Sequence, residues 1–205
     1  EARHAAVRAD WQKRVPVVFR VPDKRYEDYF YSSVYYLLLL STKDEIWPGP
    51  VNYRTFFLHD SVEEVEALDK AGMGDDVTLP KLRRFQYNLT DNYLDGLGGL
   101  SYGLYVHYAL TKDRAYLEEM YPRILAACEL IRKLRSDHMA ETTNNPALAG
   151  LMPPSASQDN FNKHAHLYQD NWWSCVGLRA GALAAEAMGR REDAEWINQE
   201  CDSLV

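Results

Sequence analysis

Helical periodicity dominates this sequence and constrains the fold more than any other feature. One run resembles a β-strand, residues 16–22, and the proline at each end limits it to an edge strand or an extended linker. Elsewhere apolar residues recur at helical spacing, and the first strong pattern covers residues 26–40. Its apolar positions are so dense that we expect this helix to be buried on most sides. The sequence therefore predicts an all-α fold.

Further helical patterns follow along the chain. They cover residues 61–71, 97–110, 113–135, 172–188 and 192–204. Pro122 is expected to kink or restart one of them, and the glycines of residues 98–103 indicate close approach of a neighbouring helix or a ligand. About seven helices, several joined by short turns, are typical of stacked helical hairpins. We divide the chain into an N-terminal helix with an extended linker, residues 1–25, and a helical-hairpin domain, residues 26–205.

Composition excludes several classes of partner. The net charge of -7 argues against binding to nucleic acid or to an anionic membrane. The longest apolar run, residues 34–40, is too short to cross a bilayer. The three cysteines form no CxxC pair and are interpreted as small buried hydrophobic residues, which leaves both a secreted and a cytoplasmic location open. Residues 88–90 match the glycosylation sequon, which is also common by chance.

Two aspartates, Asp60 and Asp170, stand at predicted helix starts, and each follows aromatic residues and a histidine. Aspartate is a favoured N-cap residue, so helix capping is the simplest interpretation. Their neighbours exceed what a cap requires, because sugar rings stack on aromatic faces while carboxylates accept hydrogen bonds from paired hydroxyls. We therefore predict that Asp60 and Asp170 hold a sugar at a catalytic site. The predicted substrate-binding residues are Tyr53, Arg54, His59, His166, Tyr168, Trp172 and Trp173.

The helix starts also predict the ionisation of the two aspartates. The positive end of the helix dipole and the free N–H groups lower the pKa of a carboxyl group in this position. We therefore expect Asp60 and Asp170 to be ionised near neutral pH. Such groups suit sugar binding or the role of a base, and they suit the general acid poorly.

Seven stretches of the sequence, taken in order, carry a resemblance to a known family. They are residues 57–61, 67–72, 103–108, 111–113, 150–154, 168–173 and 178–184. In these the sequence resembles the six-hairpin glycosidases, the (α/α)6-toroid hydrolases that include glucoamylase-like and trehalase-like enzymes. The resemblance implies two concentric rings of helices, of which this sequence supplies roughly the first half. Asp60 matches the family's sugar-binding aspartate, although His59 replaces an arginine that the family often has.

The resemblance implies hydrolysis of glycosidic bonds in an oligosaccharide or polysaccharide, without a cofactor or metal. It also implies that the general acid lies on a later hairpin, beyond Val205. Two alternatives stay open. One is a polysaccharide lyase on a related toroid, with Tyr168 or His166 as base and Arg54 neutralising a uronate. The other is a non-catalytic sugar-binding or scaffold module.

Three further groups of residues are given simpler interpretations. His107 and His138 are interpreted as ordinary surface or partly buried residues. Glu63 and Glu64 are predicted to lie on a solvated helix face. A metal site built from His164, His166 and Asp170 has suitable residue types but no supporting pattern around it. Oligomeric state is not predicted.

Overall fold

The computed structural model of this chain describes residues 2–87, 93–142, 144–156 and 164–204. These residues form eight α-helices and one short 3-10 helix, and the only β-type pairing among them is two isolated bridges. The all-α prediction is therefore confirmed. None of the helices in this part of the chain is long and apolar enough to cross a membrane.

Contacts divide the chain into two compact units, Glu1–Phe85 and Gln86–Val205. The predicted division at residue 25 lies inside the first of them. The helices of the first unit are α1 (Ala2–Arg14), α2 (Lys24–Leu39), α3 (Leu58–Lys70) and α4 (Asp75–Arg84). Those of the second unit are α5 (Asp95–Thr111), α6 (Arg114–Glu141), α7 (Tyr168–Met188) and α8 (Arg191–Asp202), with the 3-10 helix Pro146–Leu148 before α7.

Helix α2 is far more exposed than its composition predicts. Val34 is its one buried residue, while Tyr29 and Tyr36 are 74% and 67% exposed. The expectation of burial on most sides is therefore wrong. Much of the apolar character of α2 comes from tyrosines, whose hydroxyl groups tolerate contact with water. One side of α2 does pack, because Phe19 of the linker stacks on Phe30 with ring centroids 4.5 Å apart.

The core of the first unit is built on α3. Val62, Val65 and Leu68 recur at helical spacing on one face of α3, and all three are buried. Gly72 follows the helix with a φ of 71°, a left-handed conformation that glycine adopts without a steric penalty. The next helix, α4, was not predicted, since it is short, strongly charged and contains Pro80.

The second unit consists of two antiparallel helix pairs. Helices α5 and α6 join through Lys112, which has a φ of 59°, and the rings of His107 and Tyr116 lie 4.5 Å apart near this turn. Helices α7 and α8 join through Gly189, with a φ of 72°. Helix α6 is one continuous helix through Pro122, so a restart at that residue is excluded.

The two pairs pack side by side, with α5 against α7 and with contacts between α6 and α8. The closest approach of α5 and α7 is at glycines. A Cβ atom on Gly98 would lie 1.8 Å from the carbonyl oxygen of Trp173, and one on Gly177 would lie 2.4 Å from the Cα atom of Gly98. The expectation that glycines in this stretch admit a neighbouring helix is confirmed. Between α6 and α8, the Tyr121 hydroxyl donates to Asp193 at 2.7 Å and Arg132 lies 4.0 Å from the Trp196 ring.

Candidate functional site

Asp170 occupies the third position of α7, not the N-cap position. The helix begins at Tyr168, and its N-cap residue, Leu167, makes no side-chain capping hydrogen bond. Asp60 occupies the same position in α3, which begins at Leu58 after Phe57. Both helices therefore start earlier than predicted. The capping interpretation is wrong, because an apolar residue stands where the sequence pattern suggested a polar cap.

The carboxyl group of Asp170 is buried, with only 2% of the residue exposed. Its Oδ2 atom accepts a hydrogen bond from the Ser155 hydroxyl. The pKa of Asp170 is raised to about 6, chiefly by burial and also by the negative charge of Asp95, while hydrogen bonds from Ser155 and from the backbone N–H of Asp95 oppose the rise. The expected lowering of the Asp170 pKa is therefore wrong, since desolvation outweighs the helix terminus, although a pKa of about 6 still leaves this carboxyl group mostly ionised at pH 7.

Asp95, the first residue of α5, is the neighbour that the sequence analysis did not single out. Its Oδ2 atom accepts from the Gln169 side chain at 2.8 Å, and its Oδ1 atom accepts from the backbone N–H of Gly96 at 2.9 Å. Two carboxyl groups, from Asp95 and Asp170, therefore meet where α5 and α7 begin. The sequence signal that could have identified Asp95 is the presence of an acidic residue at the start of the glycine-rich helix.

Asn171 anchors the segment before α7. Its side-chain oxygen accepts from the backbone N–H of Met152 at 3.0 Å, and its side-chain nitrogen donates to the Leu167 carbonyl at 2.8 Å. Ser155 and Ala165 exchange two backbone hydrogen bonds of 3.0 Å, which hold Ser155 beside Asp170. These backbone hydrogen bonds set the position from which the Ser155 hydroxyl reaches Asp170.

Two exposed aromatic rings lie on the outer surface of α7, in the same part of the helix as buried Asp170. Tyr168 and Trp172 are 78% and 69% exposed, and their rings lie nearly parallel at a tilt of 28°, with centroids 6.1 Å apart. They are one helical turn apart and therefore lie on the same face. Trp173, also a predicted binding residue, instead packs edge-on against Tyr102 at 6.1 Å. The structure thus leaves Tyr168 and Trp172 open to a ligand.

His166 pairs with a histidine that had been interpreted as an ordinary residue. The Nε2 atoms of His166 and His138 are 2.8 Å apart, a hydrogen bond that requires one of them to carry a proton and the other to accept it. Burial and the neighbouring His138 lower the pKa of His166. His138 is itself buried in the last turn of α6. The pair joins the segment before α7 to the end of α6.

No metal-type cluster accompanies these histidines. Among the residues that the structure describes, there is no group of three or more His, Cys, Asp or Glu side chains suited to a metal ion.

Cys128 and Cys201 are buried, Cys175 is half-buried, and all three are free thiols whose pKa is raised by burial. The sequon at residues 88–90 lies outside the described residues.

The first unit contains the other predicted residues, around the start of α3. Tyr53 is exposed and contacts the Phe57 ring edge-on at 6.1 Å. The Cζ atom of Arg54 lies over the Trp47 ring, 5.3 Å from its centroid, within the range of a cation–π contact. His59 and Asp60 are half-buried in the first turn of α3. These residues lie in the first turn of α3 or in the segment that precedes it.

Glu64, one turn after Asp60, differs from the predicted solvated residue. It is half-buried, and its Oε2 atom is buried without a hydrogen-bond partner. The pKa of Glu64 is raised to about 7, chiefly by burial and also by the negative charges of Asp60 and Glu63. Glu63 is exposed, so the prediction holds for it alone. The spacing could have shown this, because Glu64 falls in the i, i+3, i+4, i+7 series of buried Ser61, Val65 and Leu68.

The two groups of residues thus offer different chemistry. In the second unit, α7 begins with two exposed aromatic rings and a buried carboxyl group that faces Asp95; in the first, Asp60 and Glu64 place two carboxyl groups on one helix face. Comparison of the chain with protein-family models, with curated proteins and with solved structures gave no match. The function is therefore inferred from the geometry of these residues alone.

Proposed function

We propose that this chain binds an oligosaccharide or polysaccharide as a domain of the glycoside hydrolase type. The observation that carries the proposal is the exposed, nearly parallel Tyr168–Trp172 pair at the start of α7. Large aromatic rings exposed side by side are costly to leave in water, and they suit the apolar C–H faces of sugar rings. Gln169, between them in sequence, offers an amide that can bond hydroxyl groups.

The carboxyl pair at the same helix start holds the beginning of α7 in place. Asp95 fixes the Gln169 side chain by accepting its N–H, and Asp170 ties α7 to Ser155. Because only 2% of Asp170 is exposed, its role in this proposal is to position the start of α7 and not to contact the sugar. The predicted sugar-holding role of Asp170 is thereby replaced by a positioning role.

The arrangement of helices agrees with this class of protein. Side-by-side antiparallel pairs, α5–α6 and α7–α8, are the repeating element from which helical toroids and solenoids are built. We extend the proposal to an (α/α)6 toroid of which this chain forms a part. A toroid places its helix-connecting loops at the two ends, and the Tyr168–Trp172 pair lies at the start of one helix.

Glycosidic bond hydrolysis is the activity that Asp60 and Glu64 favour. Hydrolysis requires one carboxyl group that holds a proton and one that is ionised. Burial keeps Glu64 partly protonated near neutral pH, and the charge of Asp60, one turn away, supports that protonation. Glu64 is accordingly the candidate acid and Asp60 the candidate base. A lyase, by contrast, requires a base and a group that neutralises a uronate, and here Arg54 is engaged with Trp47.

Binding is tested with a panel of soluble neutral and uronate-containing polysaccharides, by affinity gel electrophoresis. Trp172→Ala and Tyr168→Ala are each expected to weaken retardation at least about tenfold in apparent Kd, because each removes one stacking ring. Tyr36→Ala, which removes an equally exposed ring from α2, is the matched control and should bind as the wild type does. Undiminished binding by both α7 variants would overturn the proposal.

Hydrolysis is tested on whichever polysaccharide binds, by the release of reducing ends. Glu64→Gln should abolish release, while Glu63→Gln, which removes the same charge from an exposed neighbour, should retain it. Release of an unsaturated, ultraviolet-absorbing product would instead identify a lyase. Binding without either product would leave the sugar-binding proposal standing and refute the assignment of Glu64 as an acid.

A further inference from the structure

A basic cavity lies within the first unit, apart from the residues discussed above. It has a volume of about 510 Å³, is open to solvent on one side, and is bounded by the end of α1, the end of α2 with the turn that follows it, and the start of α4. Pockets of a few hundred Å³ are of the size that binds small molecules. The cavity therefore has room for a ligand, and the charges on its walls indicate which kind.

Lysines dominate the charged lining of this cavity. Lys13, Lys43 and Lys81 face one aspartate, Asp76. Arg14 also lines the cavity, but its guanidinium is bound to Asp10 at 2.9 Å. Among the described residues, none of the three lysines has a carboxylate within ion-pairing distance. The cavity consequently carries excess positive charge, and a negatively charged ligand would neutralise it.

Lys81 is the most informative of these cations, because it is only 2% exposed. Its Nζ atom donates to the carbonyls of Thr42 at 3.1 Å and Val77 at 2.9 Å. An ammonium group has three N–H donors, so these two bonds leave one. A buried ammonium without an opposing carboxylate is unfavourable by several kcal/mol as a general rule. Burial accordingly lowers the pKa of Lys81, with the charge of Asp44 partly opposing that change.

Apart from Ser41 and Thr42, most of the remaining wall is apolar or aromatic. Trp11 lines the cavity from α1, and Pro16, Leu38 and Met73 complete its apolar surface. The Trp11 ring is held in place by an edge contact with Tyr35, at a centroid distance of 5.8 Å. A ligand that matches both parts of the lining has an anionic group at one end and a flat or apolar body at the other.

We propose that this cavity binds a small phosphate monoester. The phosphate would accept the remaining N–H of Lys81 together with bonds from Lys13 and Lys43, and the organic group would lie against Trp11. A phosphate is preferred to a carboxylate because it carries close to two negative charges and three acceptor oxygens, which match three lysines. This site is independent of the proposed sugar surface on α7.

The proposal is tested by isothermal titration calorimetry of the full chain with phenyl phosphate, inorganic phosphate, inorganic sulfate and benzoate. Saturable binding of one phenyl phosphate per chain is expected, tighter than inorganic phosphate and much tighter than benzoate. Equal binding of sulfate and phosphate would show a general oxoanion site and overturn the assignment to phosphate esters. Absence of phosphate binding would show that Lys81 only ties α4 to the turn at Thr42.

Variants distinguish the cavity from nonspecific attraction to lysines. Lys81→Met is expected to weaken phenyl phosphate binding at least about tenfold, since it removes the buried charge. Lys43→Gln, at an exposed position, keeps the test decisive if Lys81→Met fails to fold, and it should weaken binding severalfold. Trp11→Leu should bind phenyl phosphate no more tightly than inorganic phosphate. Lys24→Gln, on α2 and outside the cavity, is the control, and weakening by this variant equal to that by Lys43→Gln would refute a specific site.

Discussion

Glu64 and Asp170 are both carboxylic acids in the first or second turn of a helix, and burial raises the pKa of both. Their surroundings differ. Asp170 accepts hydrogen bonds from Ser155 and from the backbone of Asp95, which favour its ionised form and limit the rise. The buried oxygen of Glu64 has no such partner, and the charge of Asp60 acts in the same direction as burial. Asp170, whose buried oxygen is hydrogen-bonded, is thus a largely structural acid. Glu64, whose buried oxygen has no such bond, is the candidate proton donor.

The raised pKa of Glu64 predicts a pH-dependent cost to stability. Between its unfolded pKa near 4.5 and its folded pKa of about 7, the folded state holds a proton that the unfolded chain releases, so stability falls as pH rises through this range. Glu64→Gln removes that cost. We expect the variant to raise the free energy of unfolding by ~1 kcal/mol at pH 8, after allowance for solvent screening, and by little at pH 5.

Urea unfolding of wild type and variant at the two pH values measures this difference. Glu63→Gln removes the same charge from an exposed side chain and serves as the control, with a small effect at both values. A Glu64→Gln variant that is no more stable at pH 8 than at pH 5, relative to wild type, would show that Glu64 ionises freely in the folded chain.

At the scale of helices, periodicity predicts the elements well and their environments poorly. The helices α3, α5, α6, α7 and α8 follow from apolar spacing, and the side chain of Asp113 caps α6 as its sequence suggests. The sequence does not predict α4, because Pro80 and many charged residues obscure the apolar spacing of this short helix. Partners distant in sequence, such as Asp95 with Gln169 or His138 with His166, depend on tertiary packing and leave no local signal. The sequence consequently predicts several residues of the candidate site but not the distant residues that they contact.

The contact between α5 and α7 gives a prediction for these two helices. Alanine is a better helix former than glycine by about 1 kcal/mol, so Gly98→Ala would stabilise an isolated helix. In the structure the added methyl group would meet the backbone of Trp173, which cannot turn aside as a side chain could. We therefore expect Gly98→Ala to destabilise the protein by about 3 kcal/mol, because the two helices must separate.

Thermal unfolding followed by circular dichroism at the helical band measures this loss. Gly49→Ala adds the same methyl group at an ordinary contact distance of 3.5 Å from Tyr53 and should change the melting temperature little. If Gly98→Ala were as stable as wild type, the close approach of α5 and α7 in the structure would be wrong.

At the scale of the whole chain, the two units differ in how completely they enclose a core. In the first unit, α1 has no buried residue and α2 has one. In the second unit, ten residues of α5 and ten of α7 are buried. Buried Arg135 also joins distant parts of this unit, donating to the Gly150 carbonyl at 2.7 Å and to the Ser203 carbonyl at 3.1 Å. The second unit therefore contains the interactions that an independently folding domain requires.

We accordingly predict that residues 86–205, produced alone, fold and unfold cooperatively, whereas residues 1–85 alone unfold over a broad temperature range. Removal of apolar area from water drives folding, and α1 and α2 contribute little of it. Near-ultraviolet circular dichroism provides the decisive measurement, because Trp173 and Trp196 pack against fixed partners only in the folded second unit. The fragment of residues 86–205 could instead show a helical far-ultraviolet spectrum without a near-ultraviolet signal, which is typical of a compact state without fixed packing. That result would show that the second unit depends on the first.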